Sequence, residues 1–238
     1  MTKTKYMKIE NGDFAFKVKL KYEKRKTLKI SVLPTKKIEI KAPEEKSEKE
    51  ILKYLIKKSI WIQKQLNYFD KFHPLPEKRL YKSGETHLYL GKQYRLKISQ
   101  GNNCQVKLIG GFFFISVNDK KNPLYIQKEL ETWYRHHALI IIQSRLELYL
   151  QKYNIFQKFT PEIKIKKMKK RWGSFSRNHK ITLNLEIIKT PVYCIDYVIV
   201  HELCHLISPD HGSKFYKLLS QILPDWEKRK EKLEKAIL

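Results

Sequence analysis

The chain is poor in the residues that define several special classes of protein. Only 3 cysteines, 8 glycines and 9 prolines occur among 238 residues. Three scattered cysteines cannot form the disulfide framework of a small secreted domain. Glycine and proline are too scarce, and a repeat is missing, for collagen, a coiled coil or a mucin-like stalk. The longest strictly apolar run, Ala138–Ile142, is far shorter than the roughly 20 residues of a membrane span.

An apolar signal segment is also missing at the N-terminus. Residues 1–6 read Met-Thr-Lys-Thr-Lys-Tyr and open no hydrophobic run of the kind that directs secretion. We therefore expect a cytoplasmic protein that does not associate with a membrane. Its oligomeric state is not indicated by the sequence.

The remaining composition is that of a folded protein. Hydrophobic residues make up 42% and aromatic residues 12% of the chain, which is far from the composition of a disordered protein. A chain of this length can bury a core as one large domain or two small ones.

Positive charge is in large excess, with 50 Lys and Arg against 24 Asp and Glu and a formal net charge of +26. Only eight of these cations are Arg, the residue better suited to bidentate recognition of phosphates and bases. The charges are spread along the whole chain. They indicate either a general solubilising surface or a polyanion partner such as nucleic acid.

Periodicity predicts an α+β fold, since strands come in groups and helices mostly follow them. Alternating residues predict strands within 14–42 and 88–117, and a capping box predicts a helix from Ser47. A long helix over about 125–153, short strands near 163–165 and 181–185, and three later helices complete the pattern. We expect a β-rich accessory region with one helix over residues 1–120 and a second region over 121–238, unless the two form one continuous domain.

The clearest motif is His201-Glu202-Leu203-Cys204-His205, which has the form HExxH. It lies on a helix that Thr190 and Pro191 are expected to begin. At about 100° per residue the two histidines lie about 40° apart on one face, so both can bind one metal ion. Glu202 lies about 60° to the side of that pair, where it can reach a water on the metal and act as a general base.

A third ligand is expected downstream, because catalytic zinc usually has three protein ligands. His211 is the first candidate, and Asp225 and Glu227 are the acidic alternatives; water alone is the last. The spacing to His211 equals that of metzincins, but Ser208 replaces their turn glycine, and a Met-turn is impossible because the last methionine is Met168. We predict one zinc ion per chain, although manganese, cobalt or nickel can also occupy histidine sites.

Several segments together resemble the YgjP-like (DUF45) metallopeptidase family, which is related to WLM/SprT-type zincins. They are Arg171-Trp172-Gly173-Ser174, residues 181–185, residues 195–205 and His211 through Phe215, with weaker likeness at 28–42, 90–94 and 133–135. The resemblance implies a zincin-like unit whose active-site helix packs on a small antiparallel sheet. It also implies zinc binding by three histidines, here His201, His205 and His211, and catalysis by Glu202. Phe175 stands where the family usually has cysteine.

Three further residues are candidates for substrate binding. Arg171 and Trp172 can line the site, with the Arg171 side chain or a backbone N–H facing a developing oxyanion; a tight turn packed by Trp172 is the alternative. Residues 181–185 can form an edge strand that pairs with a peptide, with Asn184 gripping the peptide backbone. A core strand is the alternative.

We therefore predict a zinc-dependent hydrolase, most simply a metallopeptidase that cleaves a peptide or protein substrate. Two other functions remain open. The same site could hydrolyse a phosphoanhydride such as a nucleoside triphosphate, or the chain could be a nucleic-acid-associated protease.

Overall fold

Alternating apolar residues and capping signals produce the strands and helices seen in a computed structural model. The structure describes residues 4–11, 14–33, 35–70, 79–168, 171–176 and 180–236. The described residues up to Asp70 form one compact unit and those from Arg79 onward form a second. The units therefore divide well before residue 120, and strands over 86–117 belong with the later helices.

The first unit is a sheet with two helices. Its elements are β1 (Thr4–Asn11), β2 (Phe14–Glu23), β3 (Lys29–Val32), β4 (Ile38–Pro43), α1 (Glu48–Lys57) and α2 (Ser59–Asp70). The strand order is β1-β2-β4-β3. Val18 and Leu20 alternate with exposed or half-buried lysines, so one face of the sheet is buried. The capping box of Ser47 and Glu50 is present, but the single helix predicted after it is divided into α1 and α2.

The second unit holds the remaining elements. They are β5 (Thr86–Tyr89), β6 (Lys92–Gln100), β7 (Gln105–Ile109), β8 (Phe112–Val117), α3 (Pro123–Lys152), β9 (Glu162–Lys166), β10 (Gly173–Ser176), β11 (Lys180–Asn184), a 3₁₀ helix (Leu185–Lys189), α4 (Val192–Cys204), α5 (Ser213–Ile222) and α6 (Trp226–Lys235). This mixture of helices and small sheets confirms the α+β class.

A four-stranded sheet packs one face against α3. Its order is β5-β6-β8-β7, with β6 and β8 parallel. Phe113 of β8 is fully buried, and its ring centroid lies 5.0 Å from that of Trp133 and 5.7 Å from that of Tyr134 on α3. These contacts explain why β5 to β8 belong to the second unit.

A smaller sheet of order β10-β11-β9 lies beside α4. β10 and β11 are antiparallel, whereas β11 and β9 are parallel. The sheet is therefore mixed, not antiparallel as expected, because the chain returns from β9 through β10 before it adds β11 between them. The segment for which a tight turn was the alternative continues into β10, a strand at the edge of this sheet.

Helix α4 is almost wholly buried, including the carboxylate of Asp196. Arg145 of α3 donates two hydrogen bonds to that carboxylate, at 2.6 and 2.7 Å. Arg229 of α6 lies 3.9 Å from it. This pairing compensates the buried charge and ties α4 to α3 and α6. Among the described residues, no helix has the length and apolar character needed to cross a membrane.

Candidate metal centre

The HExxH motif lies at the C-terminal end of α4. The helix begins at Val192 with Pro191 at the N-cap, one residue later than predicted, because the Thr190 hydroxyl donates to the Ile187 carbonyl and caps the preceding 3₁₀ helix. His205 is the C-cap residue. The helix therefore ends at the motif.

His201, His205 and His211 come together at this end of the helix. One ring nitrogen of each lies within 4.8 Å of the others. The Nε2 atoms of His201 and His211 are 3.0 Å apart. His211 is exposed and comes from the segment between α4 and α5, whereas the two helix histidines are half-buried.

The ring of Phe215, on α5, packs against all three imidazoles. Its centroid lies 5.0 Å from that of His201, 4.8 Å from that of His205 and 4.7 Å from that of His211. Phe215 is fully buried. This one ring therefore holds the helix histidines and the loop histidine in a common cluster.

The hydrogen bonds and burial of the histidines suit metal binding. Nδ1 of His205 lies 3.3 Å from the Ser208 carbonyl, an acceptor that places the proton on Nδ1 and leaves Nε2 available as a ligand. Burial, and then the neighbouring imidazoles, lower the pKa of His201 to about 4, which keeps the ring neutral at physiological pH. Three imidazoles in one cluster fit a catalytic zinc ion, which binds nitrogen ligands and keeps a position open.

Glu202 is buried beside this cluster, with 4% of its surface exposed. A Cβ added to Gly173 of β10 would lie 3.0 Å from Cδ of Glu202 and 2.9 Å from Cγ1 of Val198. The carboxylate therefore occupies space that only a glycine leaves open. Burial raises the pKa of Glu202 to about 7, while the Arg171 charge and a hydrogen bond from the Phe175 backbone N–H oppose that rise.

A cavity of about 200 Å³ adjoins Glu202. Arg171, Trp172 and Gly173 line it on one side, and Lys230, Leu233 and Glu234 of α6 line it on the other. Arg171 and Trp172 are thus close to the catalytic candidates, as expected. The indole nitrogen of Trp172 is buried and has no hydrogen-bond partner among the described residues.

Asn184 does not lie at an open edge. Its strand, β11, is paired on both sides, by β10 and β9. Its side-chain nitrogen donates to the carbonyls of Met168, at 2.8 Å, and Arg171, at 3.1 Å. The edge-strand interpretation is wrong, because β10 covers β11, and the amide of Asn184 instead supports the segment that leads to Arg171.

The acidic alternatives for the third ligand lie outside the histidine cluster. Within the described residues, that cluster consists of His201, His205 and His211. The carboxylate of Asp225 accepts a hydrogen bond from Arg229 at 2.8 Å. Glu227 is exposed in the first turn of α6.

Sequence reasoning missed how Gly173, Phe215 and Asp196 contribute to the site. Gly173 and Phe215 both lie in segments that resemble the family. No sequence pattern, however, predicts that a carboxylate fills the space beside a glycine. The partners of Asp196, on α3 and α6, are 51 and 33 positions away in the chain. A buried acidic residue in an apolar helix was the signal that could have indicated such a partner.

A buried carboxylate beside three converging histidines is typical of metal-dependent hydrolases with an HExxH motif. A profile of the YgjP-like metallopeptidase domain matches residues 26–236. The chain therefore belongs to the YgjP-like metallopeptidase family, a family of metal-dependent enzymes that act on peptides or proteins.

A solved structure also matches, the metallopeptidase zymogen of Methanocaldococcus jannaschii jannalysin. The match has 27% sequence identity, covers 41% of this chain and 97% of that one, and has a TM-score of 0.36. A search of curated proteins finds no significant match.

Proposed function

We propose that the protein is a zinc-dependent peptidase in which His201, His205 and His211 hold one zinc ion and Glu202 is the general base. The observation that carries this proposal is the convergence of three imidazoles next to a buried carboxylate. Membership of a metallopeptidase family supports the same reaction class.

A zinc ion bound there supplies Lewis-acid polarisation and lowers the pKa of a water. The chain's own residues keep the ligands in place. The Ser208 carbonyl fixes the orientation of His205, and Phe215 packs against all three rings. Such contacts behind the ligands reduce the cost of bringing them to one ion.

Glu202 moves the proton in this proposal. Its carboxylate accepts a proton from the attacking water and passes it to the nitrogen of the leaving amine, which prevents the amine from leaving as an anion. The backbone N–H of Phe175 and the space beside Gly173 fix where that carboxylate lies. Its oxygens are thereby held beside the histidines without joining the ligand set.

Arg171 and Trp172 are proposed to contact the substrate. Both line the cavity that Glu202 also lines, and the Arg171 side chain is exposed. A guanidinium in that position can donate hydrogen bonds to an oxygen on which negative charge develops. The cavity between β10 and α6 offers room for a substrate side chain.

The proposal is tested by metal analysis together with a substrate screen. Purified protein should contain about one zinc per chain, following the three-histidine ligand set. Chelation should abolish cleavage of a peptide library and added zinc should restore it, whereas nucleoside triphosphates should remain intact. The control is His136→Ala, at an exposed histidine of α3. This variant should change neither the zinc content nor the cleavage of peptides. Hydrolysis of triphosphates but not peptides would contradict the proposal.

A further inference from the structure

The four-stranded sheet β5-β6-β8-β7 has a second face that does not contact α3. The side chains that alternate with the buried ones point outward there, and none of those on these four strands is a carboxylate. They include Arg95, Lys97, Lys107 and two phenylalanines, Phe112 and Phe114. We call these five residues the basic-aromatic face.

The strand register interleaves the rings with the cations. Phe114 of β8 lies between Lys97 of β6 and Lys107 of β7, and Phe112 lies opposite Arg95. The Lys97 ammonium is 3.8 Å from the ring centroid of Phe112 and 5.2 Å from that of Phe114. The ring centroids of Phe112 and Phe114 are 6.1 Å apart.

The three cations of this face are not paired with described carboxylates, and part of its apolar surface is not buried. Arg95, Lys97 and Lys107 are exposed and form no ion pair with a described carboxylate. Phe114 is 39% exposed and the neighbouring Ile109 is 58% exposed. The outward face therefore combines uncompensated positive charge with accessible ring surface.

The sheet of the first unit provides a contrast within the same chain. Its outward face also has lysines, among them Lys19 and Lys29, but Glu39 lies beside Lys19 and Glu23 pairs with Lys41. Acidic residues thus offset part of the positive charge on that sheet, whereas the strands of the basic-aromatic face have none. Lysine enrichment alone does not produce the basic-aromatic face.

We propose that the basic-aromatic face binds single-stranded nucleic acid, with bases stacked on Phe112 and Phe114 and phosphates paired with Arg95, Lys97 and Lys107. Open sheets bind single strands in this way, because each base has a ring face and each linkage has a negative charge. A duplex fits poorly, since its bases are already stacked inside the helix. The proposal does not depend on the metal centre.

The test is fluorescence anisotropy of the full chain with labelled single-stranded RNA, single-stranded DNA and duplex DNA over a range of salt concentration. RNA and DNA both offer bases and phosphates, so comparing the two single strands shows which of them the face prefers. We expect at least one of them to bind more tightly than the duplex. A polyglutamate peptide of equal charge tests whether any polyanion binds as well.

Two sets of variants separate phosphate contacts from stacking. Replacing Lys97 and Lys107 with alanine should make the slope of log affinity against log salt shallower by about 1.4, since each phosphate contact to a single strand contributes about 0.7. Phe114→Ala should weaken binding about 10-fold at every salt concentration with little change in slope. Phe114→Tyr keeps the ring and should retain binding even if the alanine variant loses stability.

The matched control replaces Lys19 and Lys29 with alanine, which removes the same charge from the other sheet. This control should retain most of the affinity. The proposal is overturned if the control loses as much affinity as the Lys97 and Lys107 variant. Duplex or polyglutamate binding as tight as that of both single strands, or an unchanged affinity in Phe114→Ala, would also overturn it.

Discussion

The histidines of the metal centre come from two different kinds of structure. His201 and His205 are half-buried at the end of α4, a helix whose other residues are almost all buried. His211 is exposed on the short segment between α4 and α5. Helical periodicity places the first two on one face, whereas the third depends on the packing of Phe215. In the proposed zinc site the helix would therefore supply a fixed pair of ligands, and the loop would complete the set.

The largest effect is expected from removing a helix ligand. His201→Ala or His205→Ala leaves two protein ligands where catalytic zinc requires three. Zinc should be lost on purification and peptide cleavage should fall to background. Metal analysis and activity on the same preparation check this, and retention of full zinc by either variant would contradict the ligand assignment.

His211→Ala should have a smaller effect on metal binding, because the helix pair remains preorganised. We expect a severely weakened but measurable zinc affinity, and activity that partly recovers with excess zinc. Titration with a competing chelator measures the affinity. Unchanged affinity and activity in His211→Ala would show that the loop histidine is not a ligand, and Asp225 and Glu227 would be tested next.

Gly173→Ala tests the space beside Glu202 instead of the ligands. The added methyl group should displace the carboxylate, and misplacement by about 1 Å can cost about 100-fold in rate. We expect kcat to fall between about 10-fold and 100-fold with zinc content little changed. Gly212→Ala, where a Cβ meets nothing within 4 Å, is the control on the loop side and should keep its kcat.

Asp196→Ala tests how firmly α4 is held, and its effect should fall on stability. Removing the carboxylate leaves Arg145 and Arg229 without their shared partner, so the free energy of unfolding should fall by about 3 kcal/mol. Urea denaturation measures it. Asp225→Ala breaks an exposed pair with Arg229 and should cost less than about 1 kcal/mol. Equal losses in the two variants would contradict the anchoring role.

The contrast between helix and loop also explains what could be predicted from the sequence. The α+β class, the long helix α3 and the helix that carries HExxH followed from periodicity, since local spacing determines which side chains share a face. The cluster of His201 and His205 followed in the same way. His211 was the favoured third ligand, but its position depends on a loop whose course local patterns do not specify.

Contacts between distant segments were beyond that reasoning. The placement of Asn184 in a central strand, the division of the chain before Arg79 and the approach of Gly173 to Glu202 all depend on tertiary packing. The order of strands in a sheet depends on which segments bury each other's apolar faces. A single sequence does not reveal which segments pair in this way.

The most direct test of the proposed mechanism is the Glu202→Gln variant. The amide has nearly the shape of the carboxylate but cannot accept the proton of the attacking water. We expect zinc content and thermal stability to match the unsubstituted protein, while kcat falls by about 10²–10⁴-fold. Unchanged kcat with zinc bound would remove Glu202 from the reaction. Loss of zinc would place Glu202 in the ligand set and contradict its role as general base.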